Sequence, residues 1–420
     1  MQNARSVSKP KMITHLQQRF TAEWWESEGG VPLLGPKLTE REQSGHEGYL
    51  ERLLAVLGAE FKHPPRTPSE RQGTQERIFK AFAVFARGGL SFEERQIDLL
   101  LTSGFTQVGV QFPKMARRFD PAVTGADIFQ ASRNEWTMNG LQVLLGLPVR
   151  LTPAMFAYSM LYPYTDNYLD DPHIPAATKV AFNQRFGRRL SGNNIEPADA
   201  FERRIYDLVS MVEEQYDRSR HPQVFDSLLA IHRAQERSVN LLRRDSPPYD
   251  VDVLGISLEK GGTSVLADGY LVASDLTPEK AEFMFGWGAF LQFADDLQDV
   301  EGDHKDGLLT VFSQGATKWP LDSITSRTLQ FGSKVLRRLD CFGAAGAEPL
   351  KELMRRSAAL LVTTAAGRAR VYHTKPYIQD LESHSPFRFS FLAKQSAKMA
   401  RQRVSLMRLI EAFAVPDDPQ

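Results

Sequence analysis

Residues Phe290 to Val300 read FLQFADDLQDV, with Asp295, Asp296 and Asp299 set into a run of Phe, Leu and Ala. On a helix, residues three and four apart share a face, so Asp295 and Asp299 stand one turn apart and Asp303 continues their stripe. Like charges this close repel, and burial raises their pKa values unless a cation compensates. Two readings fit the stretch taken alone: a solvated acidic face, or carboxylates gathered for a metal ion. The flank favours the second. Phe285, Trp287, Phe290, Leu291, Phe293 and Leu297 leave little of the helix for solvent, and a buried charge without a partner costs several kcal/mol.

Working outward, apolar residues recur at three and four spacing in IFKAFAVFA, NGLQVLLG, FERRIYDLVSMVEEQY, VFDSLLAIHRAQERSVNLL and FRFSFLAKQSAKMARQRVSLMRLIEAF. Alternating strand-like runs are scarce, and Pro and Gly clusters such as LGLPVRLTP and RDSPPYD punctuate the helical segments. The pattern predicts an all-α protein: an N-terminal extension over 1–70, partly irregular, and one helical domain over 71–420. Helical bundles build ligand sites from side chains facing inward.

Composition narrows the function classes. The 420 residues carry 51 basic and 51 acidic side chains, with a pI near 7.2, so nothing pulls the whole chain toward nucleic acid or an anionic membrane. One cysteine, Cys341, excludes an intrachain disulfide and a cysteine-rich metal site and suits a reducing, cytoplasmic setting. No run approaches the roughly 20 apolar residues of a membrane span. An anionic ligand would have to be held by a local site.

A second acidic cluster lies in MLYPYTDNYLDDPHIP, residues 160 to 175. Asp166 and Asp170 share a helical face at i and i+4, with Asp171 beside them among Tyr162, Tyr164 and Tyr168. An acidic helix end before Pro172 is the plainer reading. Paired with the first cluster, however, it suggests Mg²⁺, which takes an octahedral shell of oxygens from one or two carboxylates plus substrate phosphates. With no HExxH pattern, a diphosphate bridged by Mg²⁺ is a better fit than a zinc hydrolase.

These residues carry a resemblance. GAFLQFADDLQD, Gly288 to Asp299, resembles the second aspartate-rich motif of trans-prenyl diphosphate synthases, GxxFQxxDDxxD, with Leu291 in place of Phe and Gln292 kept. DNYLDD resembles the first aspartate-rich motif of the class I isoprenoid synthase superfamily, nearer the DxxED of squalene and phytoene synthases than DDxxD. The resemblance spans roughly residues 75 to 400. It implies a helical bundle around a central apolar cavity, with three Mg²⁺ ions held by Asp166, Asp170, Asp171, Asp295, Asp296, Asp299 and Asp303. Asp166, Asp170, Asp295 and Asp299 would be the catalytic set, and a prenyl diphosphate would lose its diphosphate to leave an allylic carbocation. Such a protein needs no nucleic acid and leaves room for a homodimer.

The same comparison places further residues. LEKGGTSVLADGYLV, 258 to 272, resembles the superfamily's broken helix, with Lys260 and Thr263 on the diphosphate and the paired glycines breaking the helix. A helix-start cap at Thr263 is the alternative. Lys305, in GDHKDGLLT, sits near the family's basic loop, and Arg368, Arg370 and Tyr372, in GRARVYHTK, resemble the C-terminal Arg-Tyr element that closes on the diphosphate. Basic residues at a helix end also simply complement its dipole. A GGKRxRP-like loop for a second diphosphate has no match, since ARGGLSFEER lacks the basic run, and Arg188 and Arg189 lie farther from the first cluster than the family's arginine pair. One diphosphate site therefore points to a terpene synthase, or cyclase. A prenyltransferase, chain-elongating or head-to-head, is the alternative, and a non-catalytic scaffold of the same fold is the alternative of another class.

Overall fold

Apolar residues at helical spacing form helices throughout, and every regular element among the described residues is helical. The computed structural model describes residues 9–32, 34–171, 173–242 and 250–416. In chain order the helices are α1 (Lys9–Trp25), α2 (Glu40–Lys62), α3 (Pro68–Gly89), α4 (Glu94–Thr102), α5 (Phe105–Phe119) and α6 (Gly125–Leu144). They continue with α7 (Pro153–Asp170), α8 (Ala176–Leu190), α9 (Ala200–Gln215), α10 (Pro222–Ser238), α11 (Val253–Ala273) and α12 (Pro278–Gln298). The last are α13 (Val300–Asp306), α14 (Asp322–Arg337), α15 (Glu348–Arg368), α16 (Lys375–Ser383), α17 (Phe389–Arg401) and α18 (Arg403–Ala414). None of the described helices is long and apolar enough to cross a membrane.

Local chemistry sets many of the boundaries. Thr39, Thr67 and Thr124 each form a capping box with an acid three residues on, which satisfies backbone N–H groups that open helices α2, α3 and α6. Thr277 caps α12, with Pro278 in the first turn where its missing N–H costs nothing.

The chain divides into two compact units. The first holds Met1–Lys37, Arg218–Gly343 and Lys351–Ser385, with α11 and α12 as its central pair and α1, α10 and α14 packed on them. The division does not fall at residue 70. The expected N-terminal extension instead contributes a core helix here: Leu16, Phe20 and Trp24 recur every four residues on α1 and are buried. Phe20 stacks on Phe285 at 5.7 Å, and Trp24 lies 4.4 Å from Phe293. Arg338 ties the same helix down, pairing with Glu23 at 2.6 Å and Glu282 at 2.5 Å.

The α11–α12 pair depends on glycine. A Cβ on Gly288 would sit 2.1 Å from the Gly261 carbonyl oxygen, and one on Gly261 would sit 2.4 Å from that of Gly288. The two backbones touch, so no side chain fits between them.

The second unit holds Leu38–Asp217, Ala344–Leu350 and Pro386–Gln420. Within it α6 packs on α7, α7 on α9, and α18 lies against α2, α5 and α6. Its interior contains one costly pair: Glu135 and Asn139, one turn apart on α6, are both fully buried. Asn139 donates its amide to Glu135 Oε1, while Glu135 Oε2 and Asn139 Oδ1 have no hydrogen-bond partner. Burial pushes the Glu135 carboxyl up to about 8, with the Asn139 bond opposing.

Two measurements check this fold. Gly288→Ala should lower the unfolding free energy by about 2 kcal/mol or more, whereas Gly45→Ala, at an open position on α2, should leave it equal or raise it by about 0.5 kcal/mol; equal midpoints for Gly288→Ala and wild type would contradict the crossing. For Glu135, the native state holds the proton more tightly than the unfolded chain. Its contribution is therefore full below the ordinary value of 4.5 and is lost as pH rises through about 8. Thermal unfolding measured across that window should fall less steeply with pH in Glu135→Gln than in wild type.

Candidate functional site

The acidic turn of the first unit sits where a buried helix meets solvent. Phe283, Phe285, Phe290, Phe293 and Leu297 are all buried, so α12 is enclosed through its middle; Pro278 and Glu279 at its start are exposed, and the helix opens again at its C-terminal end. There Asp295 and Asp299 are exposed, Asp303 is half-buried and Asp296 is 6% exposed. The stripe keeps its register across the junction with α13: the Asp299 N–H donates to the Asp295 carbonyl at 2.9 Å, and the Asp303 N–H to that of Asp299 at 3.0 Å. The four-residue spacing read from the sequence is thus preserved.

Electrostatics mark this turn as short of positive charge. Burial pushes the Asp296 carboxyl up to about 7; Gln292 and Lys260 oppose the rise, and Asp303 and Asp295 add to it. Asp303 is raised to about 7 by burial and then by Asp299 and Asp295, again with Lys260 opposing. Gln292 Nε2 donates to Asp296 Oδ1 at 2.7 Å, but the buried Asp296 Oδ2 has no hydrogen-bond partner. Such an atom is expensive to bury and is a natural ligand for a cation.

Lys260 reaches this turn because of the glycine crossing. It precedes Gly261, whose missing side chain lets α11 lie against Gly288 and the Gln292 stem. Here the structure corrects an expectation: α11 runs unbroken from Val253 to Ala273, and the paired glycines serve helix contact without interrupting the helix. Thr263 is buried and donates its hydroxyl to the Glu259 carbonyl at 2.7 Å, so it neither starts a helix nor presents an open hydroxyl.

Other basic candidates in this unit lie at helix ends. Lys305 is exposed in the last turn of α13. Arg368 ends α15, and Arg370 and Tyr372 form a single 3₁₀ turn directly after it, with both arginines exposed. That turn is fastened to the segment following α13: the Leu321 N–H donates to the Tyr372 carbonyl at 2.8 Å, and the Thr374 N–H to Asp322 at 2.9 Å. A basic element and the chain leaving the acidic stripe are therefore tied together by backbone.

In the second unit, Asp166 is half-buried near the end of α7, while the side chain of Asp170 lies outside the described residues. Asp171 caps the helix, accepting from the His173 N–H at 2.8 Å. It stands about 140° around the helix from Asp166, on a different face from the one read as a metal site. Asp171 instead lines a cavity of about 340 Å³ with Asp120, Asp127, Tyr164, Asn167 and Arg204. Tyr164 donates to Asp120 at 2.5 Å, Arg204 pairs with Asp120 at 3.3 Å, and Asn167 donates to Asp127 at 2.9 Å. Sequence reading missed this network because Asp120 and Asp127 precede the cluster by a whole helix. Arg189 is occupied by Glu213 and Ser210.

Among the described residues, no three Asp, Glu, His or Cys side chains form a ready-made metal cage. An ion held by one or two carboxylates and completed by phosphate oxygens does not need one. Lys260→Met should lower thermal stability more at pH about 8, where the acidic turn must be ionised, than at pH about 5. An equal loss at both would show that Lys260 acts through packing and not through charge.

Comparison with family models, with curated proteins and with solved structures returns no match for this chain, so its site is read from its own residues.

Proposed function

We propose that the chain is a Mg²⁺-dependent class I isoprenoid synthase that ionises a prenyl diphosphate, and within that class a terpene cyclase acting on one substrate. The observation that carries the reading is the acidic stripe Asp295, Asp296, Asp299 and Asp303: two of its carboxyls are pushed up to about 7 and one buried oxygen has no partner. The donors are oxygens only, they recur each turn, and they fit a hard cation. Asp295, Asp299 and Asp303 would hold Mg²⁺ here; Asp166 and Asp170, which the resemblance names as the other carboxylates, belong to the second unit. Bound Mg²⁺ supplies Lewis-acid stabilisation of the departing diphosphate.

The chain's own residues account for the other requirements. Gln292 fixes one oxygen of Asp296 and leaves the other, buried, without a partner. Lys260 adds a positive charge against the stripe, and Lys305, Arg368 and Arg370 are further partners for diphosphate oxygens. The allylic C–O bond breaks with its electron pair leaving on the diphosphate. The resulting carbocation then loses a proton from a neighbouring carbon to give a hydrocarbon, or takes up water to give an alcohol.

A prenyltransferase is the second reading, favoured by the prenyl-synthase form of GAFLQFADDLQD. Against it, Arg189 pairs with Glu213 and Arg185 with Glu202, which leaves the exposed Arg188 as the remaining arginine of that run for a second diphosphate. Purified protein given Mg²⁺ and geranyl, farnesyl or geranylgeranyl diphosphate, with and without isopentenyl diphosphate, separates the readings by mass spectrometry. A hydrocarbon or alcohol from one substrate is expected; a longer diphosphate formed only when both are present would establish the prenyltransferase. Absence of diphosphate release from every substrate would favour a scaffold. Asp295→Ala should reduce turnover by about 100-fold or more with an unchanged circular dichroism spectrum.

A further inference from the structure

Away from the acidic turn, the second unit contains an apolar cavity of about 410 Å³ walled by α2, α3, α4, α5, α6 and α18. Its walls are mostly Leu, Ile, Val, Phe and Trp, with Gln75, Thr106, Ser132 and Glu135 as the polar residues, and its size is that of a small-molecule pocket. Glu135 is the one ionisable side chain on those walls. It is fully buried, its Oε2 has no hydrogen-bond partner, and one turn along the helix Asn139 Oδ1 has none either.

A pair present only for structure would satisfy its own atoms. This one satisfies a single bond, from Asn139 to Glu135 Oε1, and leaves two acceptors stranded in an apolar environment. Replacing such a pair by hydrocarbon would cost the fold little or nothing. The carboxyl's only electrostatic influences are burial and Asn139; no lysine, arginine or second acid faces it. Asn139 is not among the residues of the cavity wall, so the wall offers one carboxyl, that of Glu135, and no provision for a phosphate or a multivalent ion.

We infer that this cavity binds an amphiphile with an apolar body and a hydrogen-bond-donating head group, an ammonium or a hydroxyl, whose donor meets Glu135 Oε2. The site is separate from the acidic turn, and the inference stands or falls independently of the proposed reaction. An ammonium would convert Glu135 to its ionised form, so its affinity rises with pH up to about 8, whereas a hydroxyl pairs with either form of the carboxyl and its affinity changes little. Once Glu135 is ionised, a carboxylate head group meets a second negative charge and is disfavoured. Gly109, on the α5 wall, offers a means of closing the cavity, because a Cβ there meets nothing within 4 Å.

Isothermal titration of the full chain with decylamine, decanol and decanoate, each below its micelle concentration, tests the inference. At pH about 9, where Glu135 is ionised, decylamine or decanol should bind at least about tenfold more tightly than decanoate, and the pH dependence of the tighter ligand tells ammonium from hydroxyl. Glu135→Leu should abolish that discrimination, and Gly109→Leu should abolish binding altogether while the thermal midpoint is kept. Glu135→Gln, which retains shape and an acceptor oxygen, should still bind decanol but lose the preference for decylamine. Equal binding of all three ligands, discrimination that survives Glu135→Leu, unaltered binding in Gly109→Leu, or binding of none would each overturn it.

Discussion

The first unit is organised by one contact, the meeting of Gly261 and Gly288 where α11 crosses α12. Direct backbone approach brings the two helices closer than side-chain packing permits, and the consequences spread along both. Phe285 faces Gly262 across the seam and is stacked from its other side by Phe20 of α1. One turn past Gly288, the stem of Gln292 lies against Gly261, which aims its amide at Asp296. Lys260 is carried to the same place. A widened crossing would separate the lysine from the carboxylates it compensates while leaving the helices themselves intact, so core packing and site electrostatics have a common origin.

Much of this was legible in the sequence, and what was not has identifiable causes. The acidic stripe could be read because four-residue spacing and an aromatic flank are local properties, and α12 and α13 preserve the register. The glycine pair was misread, since Gly-Gly signals equally a break and a close approach, and only the partner helix decides between them. Leu16, Phe20 and Trp24 have the period of a core helix, but the Gly and Pro residues that follow make residues 1–70 read as a partly irregular extension. Glu135, buried mid-helix on α6, went unread, although its signal was an acid in register with Ala131, Met138 and Gln142. Asp171 illustrates a further limit: five residues on from Asp166 it stands about 140° around the helix, so the acids of DNYLDD do not all share one face although they read as one cluster.

The cost of the acidic stripe bears on the choice among functions. A helical scaffold could replace Asp296 by a hydrophobic residue and relieve both its burial and the repulsion from Asp295 and Asp303. Keeping the carboxylates makes physical sense if a multivalent cation completes them, as the proposed synthase reading requires. The arrangement of positive charge agrees with one anionic substrate group: Lys260 faces the stripe, the exposed arginines after α15 are tied by backbone to the chain that leaves it, and Arg185 and Arg189 are spent on ion pairs.

Asp296 and Glu135 pose the same physical problem and resolve it differently. Each is a buried carboxyl with one oxygen held by an amide one turn away and the other without a partner. Around Asp296, however, further acids and a lysine also act on the carboxyl, whereas Glu135 has only its amide and an apolar wall. The number of charges gathered at a site sets the charge its ligand must bring. A stripe of carboxylates demands multivalent cations, and these in turn can hold a polyanion. A solitary carboxyl in hydrocarbon can be satisfied by one donor on a greasy molecule. The same residue chemistry thus supports two sites of opposite selectivity, and the difference lies in the neighbours, not in the acid itself.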